Sequence, residues 1–297
     1  MTMKDQRMET NIMGKLKMMM FSKHLQGYSL EKAAESLNGM GIHSLDLTVR
    51  PGGHVEPENV ETELPRMRDK LASMGISIGM LTTNIVDAAD PVTESILKTA
   101  SSLGVKYYKL GYYMYEGFGT LRKLRAEAKK RVEELAELNG EYGIHGGYHN
   151  HSENFIGASA WDIAEIISDT SPEAIGVYLD PAHLTVEGGS SGWTLGMDIL
   201  SERITMLAVK DTHWLQGTSG YAGARKHSVE FCTLADGNTP WLDVLKILKD
   251  INFSGPVSMH SEYQGNHSFK DLTVPELLEQ TAKDMELFAR WAAEAGF

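Results

Sequence analysis

The chain has 297 residues, 40 of them acidic and 28 basic, for a formal net charge of −12. That length suits one large core, no Pro-rich, Gly/Ser-rich or acidic linker divides it, and the negative balance repels polyanions, which argues against a nucleic-acid partner. A lone cysteine, Cys232, rules out an internal disulfide and points to a reducing compartment, the cytoplasm by default, while no run resembles a signal-peptide core or the roughly 20 apolar residues that span a bilayer.

Residues 1–14, with Lys4 and Arg7 among methionines, read as a loose leader, and 15–297 as one domain. From there strand-like and helix-like segments alternate. Strand candidates are Lys17 to Ser22, Ser44 to Val49, Ser77 to Leu81, Lys106 to Gly111, Ile144 to Tyr148, Ile175 to Leu179, Ile204 to Val209 and Pro256 to His260. Between them, Ser29 caps a helical pattern, Leu64 to Met74 stops at Gly75, Pro91 opens another that ends at Gly104, and Thr120 to Asn139 carries a wet, charged face. Trp161 to Ser168, Trp241 to Leu248 and Leu272 to Ala293 complete the set, with a long seventh loop from His213 to Asp236.

This βα alternation predicts a (β/α)8 TIM barrel. An open doubly wound sheet is the alternative, but no Gly-x-Gly-x-x-Gly follows the first strand and no Walker pattern occurs. In a barrel all strand C-termini open on one face, and here those tips carry acids, imidazoles and amines.

The sixth tip is Asp180-Pro181-Ala182-His183, whose carboxylate and imidazole can face one cation; the alternative is Asp180 as a helix cap with His183 as its neighbour. At the fifth tip, His149 and His151 lie two apart on one face of an extended segment, so that either can ligate while the other handles a proton. At the eighth, His260 and Glu262 share a face. At the seventh, Lys210 either stabilises an enolate or alkoxide or pairs with Asp211 and Asp180 as a structural bridge, with His213 beyond it. Lys23 and Lys109 end strands one and four with the same ambiguity. Tyr107, Tyr108, Tyr112, Tyr113, Tyr115 and Phe118 form a sugar-stacking wall, a subunit contact or plain packing, of which packing is preferred.

The order of Asp46-Leu47-Thr48-Val49-Arg50-Pro51-Gly52-Gly53-His54, His149-Asn150-His151, Leu179-Asp180-Pro181-Ala182-His183, Val209-Lys210-Asp211 and Ser261-Glu262-Tyr263 resembles the xylose-isomerase-like TIM barrel superfamily of sugar phosphate isomerases and epimerases. The resemblance runs from about Met18 to Ala293. It implies a divalent cation (Mn, Mg, Co or Zn) held by a Glu at strand five, an Asp at six, a His at seven and a Glu at eight. Asp180 and Glu262 match, His149 stands at the strand-five position, and Ala208 occupies the strand-seven position, where it cannot ligate. His213, His227, His260 or water are the candidates to fill that gap.

The implied activity is sugar or sugar phosphate isomerisation or epimerisation by proton transfer through a metal-stabilised enediolate. Glu262, His151, Lys210 and His183 are then the catalytic candidates; Lys23, Lys109, His260 and His213 would bind substrate; and His149, Asp180 and Glu262 would hold the metal. The alternatives are a metal-dependent lyase or dehydratase on a keto-sugar, or a silent sugar-binding barrel. The expected partner is a small carbohydrate, with no nucleic acid and no membrane; a homo-oligomer stays open. The superfamily also contains endonuclease IV, but that branch needs more ligands and a basic groove, which an acidic chain does not supply.

Overall fold

Short runs of β-branched, aromatic and other apolar residues, bounded by glycine, proline or polar clusters, form pleated strands. In a computed structural model describing residues 16–219 and 225–297, these are β1 (Lys17–Phe21), β2 (Ser44–Val49), β3 (Ser77–Thr83), β4 (Tyr107–Lys109), β5 (His145–His149), β6 (Ile175–Leu179), β7 (Ile204–Val209) and, near the end, β10 (Pro256–Met259). They pair in parallel and close in the order β1-β10-β7-β6-β5-β4-β3-β2, so the barrel is confirmed and the open sheet excluded. The helices are α1 (Leu30–Gly39), α2 (Val60–Ser73), α3 (Pro91–Ser102), α4 (Leu121–Tyr142), α5 (Ala160–Ile166), α6 (Pro181–Leu200), α7 (Trp241–Asp250) and α8 (Val274–Glu294). Among the described residues no helix is long and apolar enough to cross a membrane. The leader read at 1–14 lies outside the described residues.

Alternate strand residues face the barrel interior and the helical shell. Leu45, Leu47, Val177, Leu179 and Leu207 join the large core beneath the helices. Met19, Met80, Tyr178, Met206 and Ala208 form a separate buried cluster, edged by Tyr107, that fills the barrel axis. Gly147 makes room for it, because a Cβ there would collide with the Met206 methyl.

Four local expectations change. The seventh loop is an antiparallel hairpin, β8 (Asp211–Ser219) with β9 (Arg225–Cys232), paired from Asp211↔Cys232 outward. Helix α6 had no counterpart in the sequence reading, because Gly188-Gly189-Ser190-Ser191-Gly192 depresses helix propensity. The helix bends there, at Gly189 with φ 61°. Helix α2 starts at Val60, after a 3-10 turn at Pro57–Asn59, and carries Pro65 inside it. Strand β4 stops at Lys109, since the next-but-one amide, of Gly111, turns to the Ile85 carbonyl instead of continuing the ladder.

Candidate functional site

Pro181 ends the β6 ladder and opens α6, which leaves Asp180 as the helix N-cap. Its Oδ1 accepts the His183 backbone N–H at 3.1 Å, so the capping alternative holds for one oxygen. The other, Oδ2, faces Lys210 Nζ at 3.1 Å, His149 Nε2 at 3.2 Å and His183 Nε2 at 3.7 Å. All four side chains are buried. Burial alone would raise the Asp180 pKa, yet the Lys210 ammonium, with His183 and His149, holds it well below the usual carboxylate range. Of the two carboxylates the sequence offers Lys210 as a structural bridge, Asp180 is engaged and Asp211 is not. The Asp211 carboxylate accepts instead from Thr212 N, Thr239 N and Oγ1, and Trp241 Nε1, at the foot of the hairpin.

The imidazoles have definable tautomers. Tyr112 Oη lies 2.9 Å from His149 Nδ1, and donation from the phenol leaves Nε2–H to point at the carboxylate. His151 Nδ1 lies 2.8 Å from the Ser152 carbonyl oxygen, which can only accept; the proton therefore sits on Nδ1 and Nε2 keeps its lone pair. Burial lowers the pKa of His149 to about 3 and that of His151 to about 4, the Lys210 charge adding to the latter. His183 contacts Ser152 Oγ through Nδ1 at 2.7 Å, lies 3.8 Å from the His151 ring, and is likewise held well below the usual histidine range by burial. Three neutral imidazoles thus surround one carboxylate–ammonium pair.

The remaining candidates occupy the same mouth with different partners. Glu262 takes Lys23 Nζ at 3.0 Å and lies 3.9 Å from His24 Nε2. Burial opposes its ionisation, but His24, Lys210 and Lys23 keep its pKa below the usual carboxylate range. His260 meets the Tyr178 hydroxyl at 2.8 Å and stacks on Phe21 at 4.4 Å. Lys109 Nζ is buried without a hydrogen-bond partner, 3.6 Å over the Tyr112 ring, and burial lowers its pKa to about 7. His213 is not brought into the group: it bonds Glu230 across the hairpin at 2.8 Å. His227 is exposed on β9, and neither it, His213 nor His260 hydrogen-bonds Asp180.

Several participants escaped the sequence reading. Tyr112 is the one member of the aromatic cluster that bonds a site histidine, whereas Tyr108 and Tyr113 pack in the core and Phe118 is fully exposed. Asp46, buried on β2, accepts Thr82 Oγ1 at 2.7 Å and Ser258 Oγ at 2.9 Å, and burial raises its pKa to about 6. A carboxylate in the middle of the buried strand Ser44–Val49 is the signal that could have found it. Ser152 and Asn150 gave none, because their roles depend on chain segments thirty-odd residues away.

A divalent cation does not fit these side chains as they stand. Ala208 offers no donor atom, both ring nitrogens of His149 are engaged, and an ammonium already lies against the Asp180 oxygen that would ligate. Among the described residues, no group of three or more His, Cys, Asp or Glu is arranged to hold a metal ion.

The family model described as xylose isomerase-like TIM barrel matches residues 40–291. The chain belongs to that family. Solved structures share the xylose isomerase-like barrel at low identity. D-Psicose 3-epimerase from Clostridium cellulolyticum H10, determined with D-tagatose, is 12% identical over 94% of this chain and 99% of its own, with a TM-score of 0.64. A probable 3-DHS dehydratase from Bacillus anthracis is 13% identical over 92% and 98%, also at 0.64. A xylose isomerase-like protein from Mycobacterium smegmatis, in complex with magnesium, is 16% identical over 89% and 88%, at 0.66. No curated protein sequence matches. At these identities the structural likeness establishes the fold alone.

Proposed function

We propose that this chain is a sugar isomerase or epimerase that moves a proton on the carbon beside a carbonyl of a small carbohydrate or keto-sugar. The observation that carries this is a neutral base set beside a fixed cation: His151, with its Nε2 lone pair free, lies 3.8 Å between ring centroids from His183, which adjoins the Lys210–Asp180 pair. Epimerases among the structural neighbours support the class of substrate. His151 takes the proton as negative charge grows on the carbonyl oxygen, and the Lys210 ammonium stabilises that charge by about 3 kcal/mol if it acts as an oxyanion donor does. Lys109, with its pKa near 7, is matched to returning a proton at neutral pH. Glu262, ionised and fixed by Lys23, orients a sugar hydroxyl. No step passes through a metal ion.

Exchange in D2O tests this. Incubating the protein with ketohexoses, D-psicose and D-tagatose among them, should replace a carbon-bound proton beside the carbonyl with deuterium, read by NMR. No exchange across the ketohexoses and their 3-keto and phosphorylated counterparts would overturn the proposal. An unsaturated product would assign the elimination seen in the dehydratase neighbour's name, which begins with the same proton removal.

A further inference from the structure

We infer that the Lys210 ammonium stands in for the divalent cation at this barrel mouth, so that the site binds and polarises a sugar oxygen through a built-in charge. The sugar half of this inference rests on the function proposed above; the cation half does not.

Strand β7 carries the reason. Its residues Met206 and Ala208 face the barrel axis, packed with Tyr178 from β6, and Lys210 follows two positions later at the strand tip. The position from which an imidazole would reach the mouth is thus a methyl group, and the next inward-facing residue supplies a cation on a four-carbon stem. That stem brings Nζ to 3.1 Å from Asp180 Oδ2, with the side chain only 4% exposed. Phe231, on the hairpin strand β9, lies over the ammonium with its ring centroid 5.1 Å away. The charge is therefore enclosed between a carboxylate and an aromatic face.

Two consequences oppose a second cation. A metal ion that reached Asp180 Oδ2 would lie within a few ångströms of an ammonium in a water-poor site, where like charges repel strongly. His149 cannot compensate, because its Nε2–H is directed at the same oxygen while Tyr112 bonds its Nδ1. Conversely, an ammonium is suited to the substitute role. It carries three donors, of which Asp180 engages one, leaving hydrogen-bonding capacity for a carbonyl or hydroxyl oxygen. Asp180 then positions the amine instead of ligating a metal.

The test uses the whole protein and Mn2+ as probe. Chelator-treated wild type, titrated with Mn2+ and followed by the electron paramagnetic resonance of the free ion, should show no stoichiometric binding, and thermal unfolding should not shift with Mn2+. Ketohexose binding, followed by calorimetry, should survive chelation and be lost in Lys210→Met. One Mn2+ bound per chain, displaced by Asp180→Asn, would overturn the inference while leaving the sugar reading intact. Sugar binding that chelation abolishes would overturn it as well. Failure of every sugar to bind, with Mn2+ still excluded, would sink the sugar reading and leave the cation substitution standing.

Discussion

The side-chain amide of Asn150 brackets the backbone of Asp180: its Nδ2 donates to the Asp180 carbonyl oxygen at 2.8 Å and its Oδ1 accepts the Asp180 N–H at 2.7 Å. Both groups are buried at a strand tip where the β6 ladder has ended, so no sheet neighbour is left to satisfy them. Asn150→Ala leaves the Asp180 N–H unpaired, at about 1–3 kcal/mol, while the Asp180 carbonyl keeps the Leu184 N–H at 3.0 Å. Urea denaturation should show a loss of about 1–3 kcal/mol, and Asn150→Asp, which restores the acceptor for that N–H, should recover part of it.

Lys210→Met removes the counter-charge from a fully buried carboxylate. Breaking such a pair costs about 3–5 kcal/mol. The midpoint of unfolding should fall accordingly at neutral pH, and the difference from wild type should shrink at low pH as Asp180 becomes protonated. Proton exchange into a ketohexose should drop on the order of 100-fold, consistent with loss of one oxyanion donor.

His151→Asn removes the proposed base from a half-buried position where the ring's polar contact is with a backbone carbonyl. Exchange should fall by about 100-fold or more with little change in stability. In wild type the acid limb of the rate profile should lie near pH 4, well below the ordinary histidine range, since burial lowers His151 to about 4. A limb near pH 6.5 would place the base elsewhere.

Stability should fall as the solution is acidified from neutrality. Unfolded histidines take up protons near pH 6.5, whereas His24 and His151 folded do so at about 4 and His149 at about 3. Their contribution is complete above the unfolded value and is lost as pH falls through that window. His183 and His260 act in the same direction. Asp46 and Asp211, raised by burial to about 6 and about 7, act oppositely, their contribution being lost as pH rises through those values. Asp284 is likewise raised and His54 and His145 likewise lowered, so seven histidines outweigh three carboxylates and the urea midpoint at about pH 5 should lie below that at about pH 7.5.

The barrel was legible because it rests on local pattern: Ile175 to Leu179 reads as a buried strand and stops at Pro181, and its observed bounds are the same. The acids and imidazoles at the tips followed from that periodicity. What escaped depends on partners distant in the chain. Nothing near Glu262 announces Lys23, 239 residues away. Likewise, the sequence offers Lys210 both Asp211 and Asp180 as partners, and only the fold decides between them, turning the Asp211 carboxylate to the Thr239 and Trp241 donors and sending the amine to Asp180. The hairpin was hidden because its polar strands lack a clean alternation, and α6 because its glycines read as a loop.

The methionine-rich plug along the barrel axis has a kinetic consequence. With Met19, Met80, Met206 and Tyr178 filling the interior beneath the site, a ligand has no exit through the opposite end. Arrival and departure share one doorway, so a reacted molecule must vacate before the next can enter. Reactant and product of a reversible sugar conversion would accordingly compete for the same free protein, each slowing the other's turnover in proportion to its concentration.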